Sequence, residues 1–170
     1  MKEALQIDGL ALLYGYDTDI DLCRIAVKQN GLALRYVARM WRKQRNDITL
    51  DAVRQNGLAL QYALEPVCYE SQVLYAAVLQ NGNALQYASE WRKGDYKLVM
   101  QAVKNKGGAL RWASDLMQDD INIVREAVTD DGSAIEYASP RLQVNEEIRA
   151  IARTQIRYDA SVEGSGVAAF

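Results

Sequence analysis

The chain has 170 residues, 49% of them hydrophobic, with a formal net charge of −2. That length can bury roughly two thirds of the unfolded surface around an ordinary core, and so small a net charge argues against broad nucleic-acid binding, which needs a strongly basic face. There is no histidine, which excludes serine and cysteine nucleophiles assisted by histidine and removes the commonest metal ligand.

Two cysteines, Cys23 and Cys68, have no metal-ligand spacing and are too few for a disulfide framework, which fits a reducing compartment. Apolar runs fall far short of the ~20 residues that cross a bilayer, and Met1-Lys2-Glu3 opens no signal core. The expectation is a soluble cytoplasmic protein, or one delivered into a host cytosol, without membrane contact or cofactor.

One phrase recurs along the chain, centred on Gly9, Gly31, Gly57, Gly82, Gly107 and Gly132, at intervals of 22, 26, 25, 25 and 25 residues. Its forms include Asn30-Gly31-Leu32-Ala33-Leu34-Arg35-Tyr36 and Asn56-Gly57-Leu58-Ala59-Leu60-Gln61-Tyr62. A fixed period with matching flanks is the signature of a repeat architecture.

Upstream of each glycine from Gly31 onward stands Ala-Val, at Ala26, Ala52, Ala77, Ala102 and Ala127, with Leu22, Ile48, Val73, Leu98 or Ile123 four residues earlier. That spacing traces one stripe of a helix. Asn-Gly then reads as the helix stop, with glycine taking the left-handed conformation beyond the end. A second helix of about ten residues is expected to follow, with Ala33, Leu34, Val37 and Trp41 as its apolar face in the second unit.

Polar connectors such as Tyr69-Glu70-Ser71 and Lys93-Gly94-Asp95 offer caps for the next helix. Pro140 falls late in an expected second helix and should kink or end it. Ile148 and Ala152 begin a degenerate last helix over 145–158 that shows no obvious polar cap, and 159–170 reads as a loose tail. Helices this short are marginal alone. The expectation is therefore an all-α helical-repeat solenoid, one domain over 1–158, of about six two-helix units that lean on their neighbours.

The phrase Ala-Val-x-Gln-Asn-Gly-x-Ala-Leu-Gln-Tyr-Ala at 52–63, repeated at 77–88, resembles the repeat of the domain of unknown function 4116 family. The resemblance spans about residues 4–157. It extends to Tyr-Ala-Ser after the leucine at Tyr87-Ala88-Ser89 and Tyr137-Ala138-Ser139, while Gly15, Val37-Ala38 and Ala63-Leu64 depart from it. That family is known for tandem copies in bacterial, protist and large-virus proteins, so the resemblance implies repeats without catalytic residues.

Two rows of polar positions vary while the frame stays fixed. Gln29, Gln55, Gln80, Asn105 and Asp130 stand two before each glycine, and Arg35, Gln61, Gln86, Arg111 and Glu136 stand four after it. In a stack such rows could form a ladder for a peptide, or equally face solvent. The run Arg35, Arg39, Arg42, Lys43, Arg45 has no acid, while 115–136 is acidic apart from Arg125. This polarity could steer an acidic partner, drive head-to-tail association, or bind nucleic acid locally through the basic run.

Trp41 and Trp91 each open a Trp-Arg-Lys triplet, which reads either as an aromatic surface framed by cations or as an indole closing the core. The adjacent carboxylates Asp119-Asp120 and Glu146-Glu147 point apart and do not make an acid/base pair. Function is therefore expected to be non-catalytic: a scaffold for an unknown protein or peptide, monomeric or weakly self-associating. The alternative is an accessory or targeting array of a bacterial effector, toxin or enzyme whose catalytic part lies elsewhere.

Overall fold

The computed structural model describes residues 19–44 and 46–165. The unit expected around Gly9, together with Arg45 and the side chain of Lys43 from the basic run, falls outside them. All regular elements among the described residues are helical. The chain divides into two compact units, Met1–Ser89 and Glu90–Phe170, where the sequence suggests one domain over 1–158.

In the first unit the long helices are Ile20–Gln29, Asn46–Gln55 and Ser71–Gln80. In the second they are Tyr96–Asn105, Ile121–Asp130 and Glu146–Ser165. Each full repeat helix buries one stripe at i, i+1, i+4 and i+5; in Ile121–Asp130 it is Ile123, Val124, Ala127 and Val128. A fully buried Val, Leu or Ile side chain contributes about 1.5–3 kcal/mol, and neighbouring helices within each unit supply the covering surface. Asp19, Asp95 and Asp120 cap three of these helices by accepting from the second and third backbone N–H beyond them.

The expected ten-residue second helix is instead a six-residue 3-10 helix followed by a break. Gly31–Tyr36, Gly57–Tyr62 and Gly82–Tyr87 lie in the first unit, and Gly107–Trp112 and Gly132–Tyr137 in the second. The residue after each 3-10 helix is extended. Leu34 and Val37 are three apart, one 3-10 turn, so both face inward, 0% and 1% exposed. The helical spacing is genuine, but its period is nearer three than 3.6 residues.

A short third segment then closes each repeat: Arg39–Gln44 and Val67–Tyr69 in the first unit, Arg92–Gly94, Asp115–Gln118 and Pro140–Gln143 in the second. Trp41 belongs to this segment. Pro140 opens one such helix at its first position, where its missing N–H costs nothing, so it neither kinks nor shortens a helix. The last helix runs to Ser165, past the point where the sequence suggests a loose tail, because no glycine at position 157 interrupts it.

Glycine also acts differently from the expectation. Asn30, Asn56 and Asn81 end their helices in extended backbone, and no left-handed turn is needed. A Cβ at Gly31 would lie 2.3 Å from the Ala52 carbonyl oxygen, at Gly57 2.4 Å from that of Ala77, and at Gly107 2.2 Å from that of Ala127. These glycines are required because the next repeat's backbone passes directly over them.

Candidate functional site

The Gln-Asn-Gly phrase forms the joint between consecutive repeats. Asparagine is the cap: Asn30, Asn56 and Asn81 accept from the backbone N–H two residues on, at 3.0–3.1 Å. Glycine admits the next repeat. The residue two before the following glycine then reaches back: Gln55 Oε1 accepts the Gly31 N–H at 2.6 Å, Gln80 Oε1 accepts that of Gly57 at 2.6 Å, and Asp130 Oδ2 accepts that of Gly107 at 2.7 Å. Gln55 Nε2 also donates to the Gln29 carbonyl at 3.0 Å.

The row Gln29, Gln55, Gln80, Asn105 and Asp130 is therefore part of the cohesion of the array. Gln55, Gln80 and Asp130 each tie their own repeat to the one before. These three side chains lie at the surface, and each commits one acceptor to the preceding repeat, so they are more than solvent-facing filler. All five residues of the row are exposed at the surface.

The second row crowns the 3-10 helices. In the first unit Arg35 and Gln61 are exposed and Gln86 half-buried, beside the aromatic row Tyr36, Tyr62 and Tyr87. The Arg35 guanidinium stacks over the Tyr36 ring at 4.9 Å and the Tyr62 ring at 5.7 Å, bridging two repeats by cation–π contact. Gln61 and Gln86 donate back to the carbonyls of Leu58 and Asn83, both at 3.0 Å. Arg39 is exposed in the following segment. Among the described residues no carboxylate lies in ion-pair range of Arg35 or Arg39.

Arg42 is partly turned to structural use. It donates to the Tyr62 carbonyl of the next repeat at 3.2 Å, and burial, with Arg39 adding repulsion, lowers its pKa below the usual arginine range. Trp41 is half-buried. In the second unit Trp91 is 63% exposed, so this indole does not close the core; Arg92 covers its face at 4.1 Å. Arg111 lies over the Trp112 ring at 4.7 Å, which repeats the Arg35–Tyr36 arrangement.

Of the adjacent carboxylates, Asp119, Asp120 and Glu147 each have a separate task. Asp119 pairs with Arg141 at 3.0 Å and accepts from Ser139, while Asp120 caps a helix. Hydrogen bonds from Arg141 and then Ser139 hold the Asp119 carboxyl below the usual aspartate range. Glu147 pairs with Arg125 at 2.7 Å. Arg24 and Asp47 pair at the equivalent positions of the first unit.

Sequence reasoning missed the cationic face of the last helix. Arg149 and Arg153 stand where Val124 and Val128 stand one repeat earlier, so this helix is cationic where the preceding repeat helix is apolar. Aligning the last helix slot by slot reveals it in the letters.

With this geometry in view, comparison with known families gives one match. The family model of the domain of unknown function DUF4116 fits three overlapping segments, 45–93, 71–115 and 95–143. The chain belongs to this family. The matched segments together run over 45–143, more than half of the chain, and overlap as tandem repeats do. No curated protein and no solved structure was found to match. Among the described residues, no helix of this DUF4116 chain is long and apolar enough to cross a membrane.

Proposed function

We propose that this DUF4116 array is a non-catalytic protein-interaction scaffold whose first unit receives an acidic protein or peptide. The observation that supports this most is a strip in which Arg35 is set over the aromatic rings of Tyr36 and Tyr62 in consecutive repeats, with Arg39 exposed in the segment that follows; neither cation has a carboxylate partner among the described residues. Arginine stacked on an aromatic ring is held in place before a partner arrives, so less side-chain freedom is lost on binding. Gln61 extends the strip. Repeat surfaces bind by spreading modest contacts over a long face, a task that needs no reactive side chain, and the lack of histidine fits it.

The test is affinity capture with the intact chain, run in parallel with an Arg35→Glu, Arg39→Glu variant. Specific capture of an acidic protein, weakened at least tenfold by the charge reversal and by raising salt, is the expected outcome. Capture that is absent, or indifferent to the reversal, contradicts the proposal. Tight binding of nucleic acid at low salt, lost steeply as salt rises, would assign the strip to phosphates instead.

A further inference from the structure

The last 3-10 helix, Gly132–Tyr137, differs from those before it in what covers it. Leu110, at the same position one repeat earlier, is 0% exposed beneath the Ile121–Asp130 and Gly132–Tyr137 helices. Its counterpart Ile135 is only half-buried, because the Glu146–Ser165 helix covers it and no following 3-10 helix does among the described residues. The result is a cleft of about 290 Å³ lined by Ile135, Glu136, Gln143, Arg149, Ala152, Arg153 and Ile156.

Its floor is apolar: Ile156, 48% exposed, lies beside Ile135 and Ala152. Two of its walls are cationic. Arg149 and Arg153 occupy the slots that hold Val99 and Val103, then Val124 and Val128, in the preceding repeats, where all four valines are 0% exposed. Among the described residues neither guanidinium has a carboxylate in ion-pair range. A purely apolar repeat stacked here would bury two unpaired cations, which is strongly unfavourable. An occupant must bring both the apolar phrase and carboxylates.

One segment of this chain has both properties. Residues 1–21 carry Glu3, Asp8, Asp17, Asp19 and Asp21 against Lys2 alone, around Gly9-Leu10-Ala11-Leu12-Leu13-Tyr14. That is the phrase which, as Gly132–Tyr137, packs against Gly107–Trp112 in this unit. We propose that the cleft receives the acidic residues 1–21 of a second copy of this chain, giving head-to-tail association selected by Arg149 and Arg153.

Sedimentation velocity of the full chain over a concentration series, at low and at high salt, tests this. Association that grows with concentration, weakens with salt and is lost in the Arg149→Glu, Arg153→Glu variant is expected. Both arginines are on the surface of the last helix, and circular dichroism checks that the variant remains folded. The decisive arm mixes that variant with an Asp8→Lys, Asp17→Lys chain: neither should associate alone, and the mixture should. A chain that stays monomeric throughout overturns the proposal, whether its cleft is empty or covered by its own residues 166–170. Association that ignores the reversals overturns it too.

Discussion

At the scale of single residues, the recurring geometry of the joint makes sharp distinctions between similar side chains. Gly57→Ala sets a methyl group 2.4 Å from the Ala77 carbonyl oxygen, and overpacking of this kind costs about 1–3 kcal/mol. Gly94→Ala meets only the Ser114 hydroxyl at 3.6 Å and should be neutral or slightly stabilising. Urea denaturation of the two variants checks the contrast; equal effects would show that the close approach is not what glycine is for. Likewise Asp130→Asn retains an acceptor for the Gly107 N–H, whereas Asp130→Ala removes it. The alanine variant should lose about 1–2 kcal/mol relative to the asparagine variant, measured by the same denaturation.

Much of this scale was legible in the letters, but the reason for it was not. The period, the buried stripe and the importance of glycine all follow from the sequence. Asn-Gly at a helix end equally suits a left-handed stop and a close crossing, and only the position of the Ala52, Ala77 and Ala127 carbonyls decides between them. Gln55 and Gln80 are polar and lie at the edge of a helix, the same local appearance that a solvent-facing residue presents. Their partners lie 24 and 23 residues away, a distance over which sequence periodicity gives no bond direction.

At the scale of elements, the short third segment holds consecutive repeats together in the second unit. Ser114 N–H donates to the Lys93 carbonyl at 3.0 Å and Ser139 N–H to that of Gln118 at 2.9 Å. Gln118 and Gln143, at equivalent positions, donate to carbonyls at the ends of the Gly107–Trp112 and Gly132–Tyr137 helices. The second helix is shorter than its apolar spacing suggests, because apolar residues three and four apart look alike over so short a run. Ser89, Ser114 and Ser139 mark the true boundary.

The Asp119–Arg141 pair joins two of these segments and makes the element scale testable by pH. The Asp119 carboxyl is lowered in the folded chain, so its contribution is present above the unfolded aspartate value of about 3.9. It is lost as pH falls through the lower folded value. The difference in thermal midpoint between the wild type and Asp119→Asn should therefore shrink on going from pH 7 to below pH 3. A difference that stays constant over that range would show the carboxylate to be uncoupled from folding.

At the scale of the whole molecule, cohesion in each unit is built from repeated nearest-neighbour joints: a cap, a clearance and a bond returned from the next repeat. Damage at one joint should loosen the repeats on either side before it reaches the rest. The charged surface was foreshadowed by the basic run and the acidic 115–136 stretch. The cation–aromatic strip and the arginine-walled cleft needed coordinates, because each gathers residues from successive repeats.

The most direct measurement is amide hydrogen exchange at Gly57, compared between the wild type and Gln80→Ala. The Gly57 N–H, held by Gln80 at 2.6 Å, should be protected in the wild type. In the variant its exchange should speed up by about tenfold, which corresponds to a hydrogen bond of ~1.4 kcal/mol, while the Gly107 amide keeps its protection. A Gly57 amide that exchanges as fast as an open turn in the wild type, or that does not respond to loss of the Gln80 side chain, would contradict the joint on which the fold is built.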